Sequence, residues 1–237
     1  MGAEHQNFEI AAAESLLGWW CDAGVDCAFS EMPFAWLVQA KAAPSQIAPP
    51  VEAALPDTIE AFTTWLLSGD IPGAGPPRQR LAPAGDCHAQ LMILTDFPER
   101  DDLAAGRWMA GGLETVFEAM LSALGTDRAS VYMAPLTPSR PDTGMIAAEA
   151  MTALAKIARQ HIALIRPAQL WLMGPAASRA ILGMDDAAAK GRLHSVNLDG
   201  ATIAAIATAH PRTFQDSRNR KAAAWTEMQR LLKKDLP

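Results

Sequence analysis

From residue 89 onward the chain alternates short apolar runs with amphipathic segments, and this alternation restricts the possible folds more than any other feature. "AQLMILT" (89–95), "ASVYMA" (129–134) and "AQLWLMG" (168–174) have the length and composition of buried strands. Between them lie "GLETVFEAMLSALG", with Gly125 as its stop, and "MIAAEAMTALAKIARQHIALIR", which Pro167 halts; both read as helices. "PAASRAILG" opens with proline at a first helical position. "RLHSVNL" and "ATIAAIATA" flank Asp199-Gly200, a two-residue hairpin turn, and a last helix covers about 217–234. Strands separated by helices imply a mainly parallel sheet with helices on both faces. The expected fold is therefore α/β, a three-layer αβα sandwich spanning 87–237.

The first 86 residues read differently. Residues 8–20 form an amphipathic segment, 43–56 are dominated by Ala and Pro, and 70–86 ("DIPGAGPPRQRLAPAGD") are too rich in Gly and Pro for regular structure. Between the last two, Asp57 can cap a helix through "TIEAFTTWLLS" that Gly69 can end. We read 1–86 as a helical leader with a Pro/Gly-rich strap.

A net charge of −6 excludes a bulk polycation, so contact with nucleic acid requires a local basic patch. Three cysteines, Cys21, Cys27 and Cys87, with no C-x-x-C spacing, argue against a disulfide framework and against a metal or cluster site. They fit reduced thiols in a cytoplasmic protein, and no apolar run reaches membrane-spanning length. Neither cofactor nor metal is expected. Oligomeric state is not legible.

In parallel sheets, ligands bind beyond the carboxyl ends of the strands. Here those ends lead into "DFPERDD" (Asp96, Glu99, Asp101, Asp102), "PLTPSRP", Gly174-Pro175 and His210-Pro211. Parallel strands place all four on one rim. Taken singly, an acidic turn is most often solvated and a histidine before proline is most often a turn residue; joint placement is what raises their interest.

The series "LMILTDFPERDDLAAGRWMAGGLETVF", "VYMAPLTPSRP", "QHIALIRPAQLWLMGPAASRAILG" and "HPRTFQDSRNRKAAAWTEMQRL" resembles the family 4 uracil-DNA glycosylases over about the last 150 residues. Against the family's G-E-A-P-G, E-D and G-R-P-F-V-G, this chain has Thr95-Asp96-Phe97-Pro98-Glu99, Asp102-Leu103 and Gly106-Arg107-Trp108-Met109-Ala110-Gly111. Met109 stands where the family stacks a phenylalanine on the extruded base. Pro135 stands where an asparagine reads the uracil edge. Two cluster cysteines correspond to Ser139 and Leu154, so the resemblance implies loss of the iron–sulfur cluster.

By the same resemblance, His210, Asp96 and Asp102 are the catalytic candidates. Phe97, Pro98, Met109 and Pro135 line the base pocket. Arg140, Arg212, Arg218, Arg220 and Lys221 contact damaged or uracil-containing DNA, and Phe214 fills the gap in the stack. The implied activity is hydrolysis of the N-glycosidic bond of a flipped base, with weakened selectivity because proline offers no side-chain hydrogen bond. The alternatives are an inactive DNA- or partner-binding relative on the same fold and a hydrolase of small nucleosides.

Overall fold

The computed structural model describes residues 15, 18–20, 22, 55–198, 200–214 and 218–233. Two compact units divide the chain, Met1–Ala48 and Pro49–Pro237. In the first, the described residues are helical, and the rings of Trp19 and Trp20 meet edge to face with centroids 5.4 Å apart. The remainder of the expected 8–20 helix and the 43–54 part of the strap lie outside the described residues.

The second unit runs α1 (Ile59–Ser68), β1 (Ala84–Gly85), β2 (Leu91–Thr95), α2 (Arg100–Ala105), α3 (Glu114–Ala123), β3 (Val131–Pro135), α4 (Met151–Ile165), β4 (Gln169–Met173), α5 (Pro175–Leu182), α6 (Asp186–Ala189), β5 (Leu193–Leu198), β6 (Ala201–Thr208) and α7 (Arg218–Lys233). The six strands form one sheet in the order β1-β3-β2-β4-β6-β5. The inner four are parallel, and β1 and β5 flank them antiparallel. β5 and β6 are the two arms of the expected hairpin, running from Leu193↔Ile206 to Leu198↔Ala201.

Period-two alternation divides the strand residues between two cores. Met92 and Leu94 of β2 and Leu170 and Leu172 of β4 pack with Phe62 and Leu66 of α1, Leu154, Ile157 and Ile162 of α4, and Ile181 of α5. Leu91 and Ile93, with Trp171 and Met173, point to the other face and pack with Phe117 and Leu121 of α3 and Met228 and Leu231 of α7. Each fully buried side chain of this size contributes about 1.5–3 kcal/mol. Helices on both faces of a mainly parallel sheet give the expected three layers.

The local differences have physical reasons. Thr58 rather than Asp57 caps α1, its hydroxyl accepting from the Ala61 amide at 3.3 Å. α4 begins at Met151, not Met145: a turn closes from Pro141 to Gly144, the Thr143 hydroxyl accepts the Met145 amide, and a 3-10 turn over Ala148–Ala150 leads into the helix. Within the expected leader and strap, α1 contributes Phe62 and Leu66 to the sheet's core, and 70–86, expected to lack regular structure, supplies the short edge strand β1. Arg80 organises the Pro/Gly-rich segment by donating to the carbonyls of Leu66, Gly69 and Gly75. Among the described residues, no helix is long and apolar enough to cross a membrane.

Candidate active site

The register brings the carboxyl ends of the parallel strands to one edge. Thr95 lies opposite Pro135 on one side and Met173 on the other, and Met173 lies opposite Thr208. The next residues are Asp96, Leu136, Gly174 and Ala209-His210. The acidic turn, the β3 loop, Gly174-Pro175 and the His-Pro turn therefore share one rim.

His210 is 1% exposed. Its Nδ1 accepts the Arg212 amide at 3.1 Å, and its carbonyl accepts from both the amide and the hydroxyl of Thr213. Burial, reinforced by the positive charges of Arg212 and Arg140, lowers its pKa to about 3. The imidazole is neutral at physiological pH. With Nδ1 occupied as an acceptor, the ring proton sits on Nε2, which is therefore a donor. Proline at 211 fixes φ in the turn that aims it.

Asp96 is equally buried. Oδ1 accepts the Ala177 amide in the first turn of α5 at 2.8 Å, and Oδ2 accepts from Arg212 at 3.1 Å. Burial raises its pKa, and the Ala177 amide and Arg212 oppose that rise. Gly174, at φ +120, permits the approach: a Cβ there would lie 2.4 Å from Oδ2.

Asp102 faces the backbone. Its two oxygens accept the Glu99 amide at 2.9 Å and the Ala110 amide at 2.7 Å. It closes the first turn of α2 and pins the segment carrying Met109. That segment is further clamped by Trp108, whose indole donates to the Ala82 carbonyl, and by Arg128, which donates to the Trp108 carbonyl. Met109 is held there, buried, at φ +50, a conformation costly for a residue with a side chain.

The two rim arginines are paired. Arg212 reaches Glu99 at 2.8 Å as well as Asp96, and Arg140 bonds the other oxygen of Glu99. Both guanidiniums lie over the Phe97 ring, at 4.8 Å and 5.2 Å from its centroid. Phe214 points inward: it is buried in the cluster of Trp108, Met109 and Met133 and does not project from the loop. Pro98 and Pro135 are both buried on the rim; Arg220 and Lys221 are exposed on α7. The side chain of Arg218 lies outside the described residues.

The positions that resemblance assigns to cluster cysteines do not suit such a group. The buried Ser139 hydroxyl accepts the Gly75 amide at 2.6 Å, and Leu154 is a core side chain without a donor atom. Among the described residues no cluster of metal-ligating side chains occurs.

Sequence reasoning passed over two features. Thr95 and Thr137, 0% and 1% exposed, carry rim hydroxyls with no hydrogen-bond partner. Away from the rim, His161 bonds the Tyr132 hydroxyl at 2.9 Å inside the core, and burial lowers its pKa to about 3. Its place on the apolar face of α4, three and four residues from Ala158 and Ile157, was the available signal.

Comparison with curated proteins finds no match. The sequence profile of the Uracil DNA glycosylase superfamily matches residues 82–232, the whole stretch from the end of the strap through α7. The chain belongs to the uracil DNA glycosylase superfamily.

Proposed function

We propose that this protein is a divergent, family 4-like glycosylase without the iron–sulfur cluster, acting on DNA in the cytoplasm and hydrolysing the N-glycosidic bond of a flipped base. The observation that carries this reading is the His210 imidazole: buried, neutral, with Nε2 as its donor, on the same rim as the buried Asp96 carboxylate.

The reaction breaks the bond between C1′ and the base nitrogen. The electron pair leaves with the base, and C1′ acquires oxocarbenium character until a water oxygen bonds to it and releases a proton. A fixed donor aimed at the charge building on the base lowers the barrier by about 3 kcal/mol. His210 supplies it through Nε2–H and needs no imidazolium. Asp96, when ionised, supplies negative charge opposite the sugar cation, as carboxylates do in glycoside hydrolysis. Asp102 is a positioning residue: both oxygens hold backbone amides, so it fixes the Met109 segment as one wall of the pocket, with Phe97, Pro98 and Pro135 as the others.

Exposed Lys221 and Arg220 of α7 are the phosphate contacts this reading retains. Arg140 and Arg212 close the rim through Glu99, and Phe214 is buried in the same apolar cluster as Met109. Those ion pairs favour a second reading, a binding protein on the same fold in which the rim stays shut.

The test is formation of abasic sites in duplexes carrying uracil, hypoxanthine or other altered bases, with His210→Asn as control. Base release by the parent protein, reduced about 100-fold or more in the variant, supports the enzyme. Salt-sensitive DNA binding with no release from any duplex supports the binding protein.

A further inference from the structure

Buried hydroxyls in folded proteins are almost always paired, because an orphan loses its bonds to water and gains nothing in return. Thr95 and Thr137 break this rule together at the rim. Thr95 ends β2, and by alternation it shares the face of Leu91 and Ile93, the face packed by Trp108 and Met109. It lies opposite Pro135 and Met173. Its carbonyl accepts the Leu136 amide at 2.7 Å, and the Thr137 amide reaches the Asp96 carbonyl at 3.1 Å. The two threonines thus lie at neighbouring strand ends on the carboxyl edge, Thr95 closing β2 and Thr137 two residues beyond β3, with Thr137 bonded to Asp96 through the backbone. The register neighbours of Thr95, Pro135 and Met173, offer its hydroxyl no strong partner.

We infer that the hydroxyls of Thr95 and Thr137 are specificity-determining groups that bind the hydrogen-bonding edge of the flipped base, and that they accept keto and amino edges alike. This rests on the glycosylase reading above. A hydroxyl has one donor and two acceptor positions and turns about its C–O bond. A carboxamide held in one orientation presents a fixed donor and acceptor and rejects the base with the opposite pattern. Two rotatable hydroxyls adapt to either pattern: a uracil-type edge with its carbonyl and N–H, or a cytosine-type edge with its amino group and ring nitrogen. Strong rejection by hydrogen bonding requires a site group left unpaired by the wrong ligand. A hydroxyl that re-aims is not left unpaired, and Pro135 contributes no side-chain group to restore the discrimination. The substrate class is thus pyrimidines, and purines of similar edge chemistry, selected by ease of extrusion more than by edge pattern.

The experiment uses the full chain and two duplexes, one with a 2′-fluoro-deoxyuridine opposite guanine and one with a 2′-fluoro-deoxycytidine opposite adenine. The fluorine slows cleavage, so anisotropy reads binding alone. The parent protein is expected to bind the two within about threefold of each other and both more tightly than the matched duplex. The doubly substituted Thr95→Val, Thr137→Val protein is expected to keep or raise its melting temperature, to lose tenfold or more on both fluorinated duplexes, and to bind matched duplex unchanged. Parent discrimination above about a hundredfold overturns the inference, as does a double variant that binds like the parent; either leaves the glycosylase reading intact. A parent that prefers neither fluorinated duplex overturns both. A double variant that melts well below the parent also overturns the inference, because it shows the hydroxyls to be structural.

Discussion

Acidification should destabilise this protein steeply, and the slope follows from two residues. His210 and His161 are buried and titrate at about 3 in the folded chain. In the unfolded chain each takes up its proton near pH 6.5. Between these values the unfolded state holds more protons, so stability falls as the pH falls. The stabilisation is complete above the unfolded value and is lost progressively below it. Each imidazole contributes about 1 kcal/mol per pH unit in this window, and the pair costs about 4 to 5 kcal/mol between pH 6.5 and 4.5. Domain stabilities are about 5–15 kcal/mol, so that loss is enough to unfold a marginal chain. The buried carboxyls Asp96, Asp102 and Glu227 act in the opposite sense: their pKa values are raised by burial, so they favour the folded state at low pH and lose that contribution as the pH rises through the folded values. Comparison with variants cancels this term. In urea titrations at half-unit steps from pH 7.5 to 4.5, His161→Phe and His210→Asn should each flatten the slope by about 1 kcal/mol per unit. At pH 7.5 the first costs about 1 kcal/mol, because it removes the His161 bond to the Tyr132 hydroxyl while Thr63 still holds that group. Parallel slopes for the parent and both variants would refute the neutral-imidazole argument, and with it the Nε2–H donor.

The remaining expectations concern the rim and the strap. If His210 donates as a neutral group, kcat has no inflection near pH 6.5; a fall above that pH would identify an imidazolium acid. Asp102→Asn places an N–H against a backbone N–H, and should cost about 1–3 kcal/mol in chemical denaturation; unchanged stability with abolished turnover would return Asp102 to the reacting centre. Gly174→Ala drives a methyl group to 2.4 Å from the Asp96 carboxylate at φ +120, so melting temperature and base release should fall together. Arg80→Met removes three carbonyl bonds and should raise amide exchange across 69–83 while leaving the sheet protected.

The sheet was legible because burial on two faces demands continuous apolar strands, and the strand ends named their own rim. The pairing of charges across that rim was not. Glu99 meets Arg140 across 41 residues and Arg212 across 113, distances over which no local pattern operates. The arginines read as a phosphate grip in sequence and are neutralised in space. Phe214 illustrates the same limit: an aromatic residue in a polar loop gives no sign of which way it points. Asp102 is different, since Glu99-x-x-Asp102 has the spacing of an N-cap and its reciprocal third helical residue, and reading it so would have assigned one oxygen to the Glu99 amide, though not the other to Ala110, eight residues on. Thr95 reads as an ordinary strand former. Only the absence of a partner distinguishes it.

Arg212 joins the two halves of the proposed chemistry, and its removal separates them. Its backbone amide fixes the His210 tautomer, whereas its guanidinium holds Asp96 and Glu99. Arg212→Ala retains the first contact and deletes the second. Asp96 then has only the backbone amides of Ala177 and Ala176 against desolvation by burial, so its pKa must rise further. Since the carboxylate serves the sugar cation only when ionised, the acid limb of the kcat profile should move to higher pH while the plateau rate above it changes little. The stability cost is about 1–3 kcal/mol, held down by the partial exposure of the guanidinium. A phosphate-gripping Arg212 would behave otherwise: DNA affinity would fall for every sequence, the salt slope would drop by about one, and the acid limb would stay in place. The pH profile and the salt slope thus move in alternation, and a reduced slope with an unmoved limb would refute the assignment of Arg212 to Asp96.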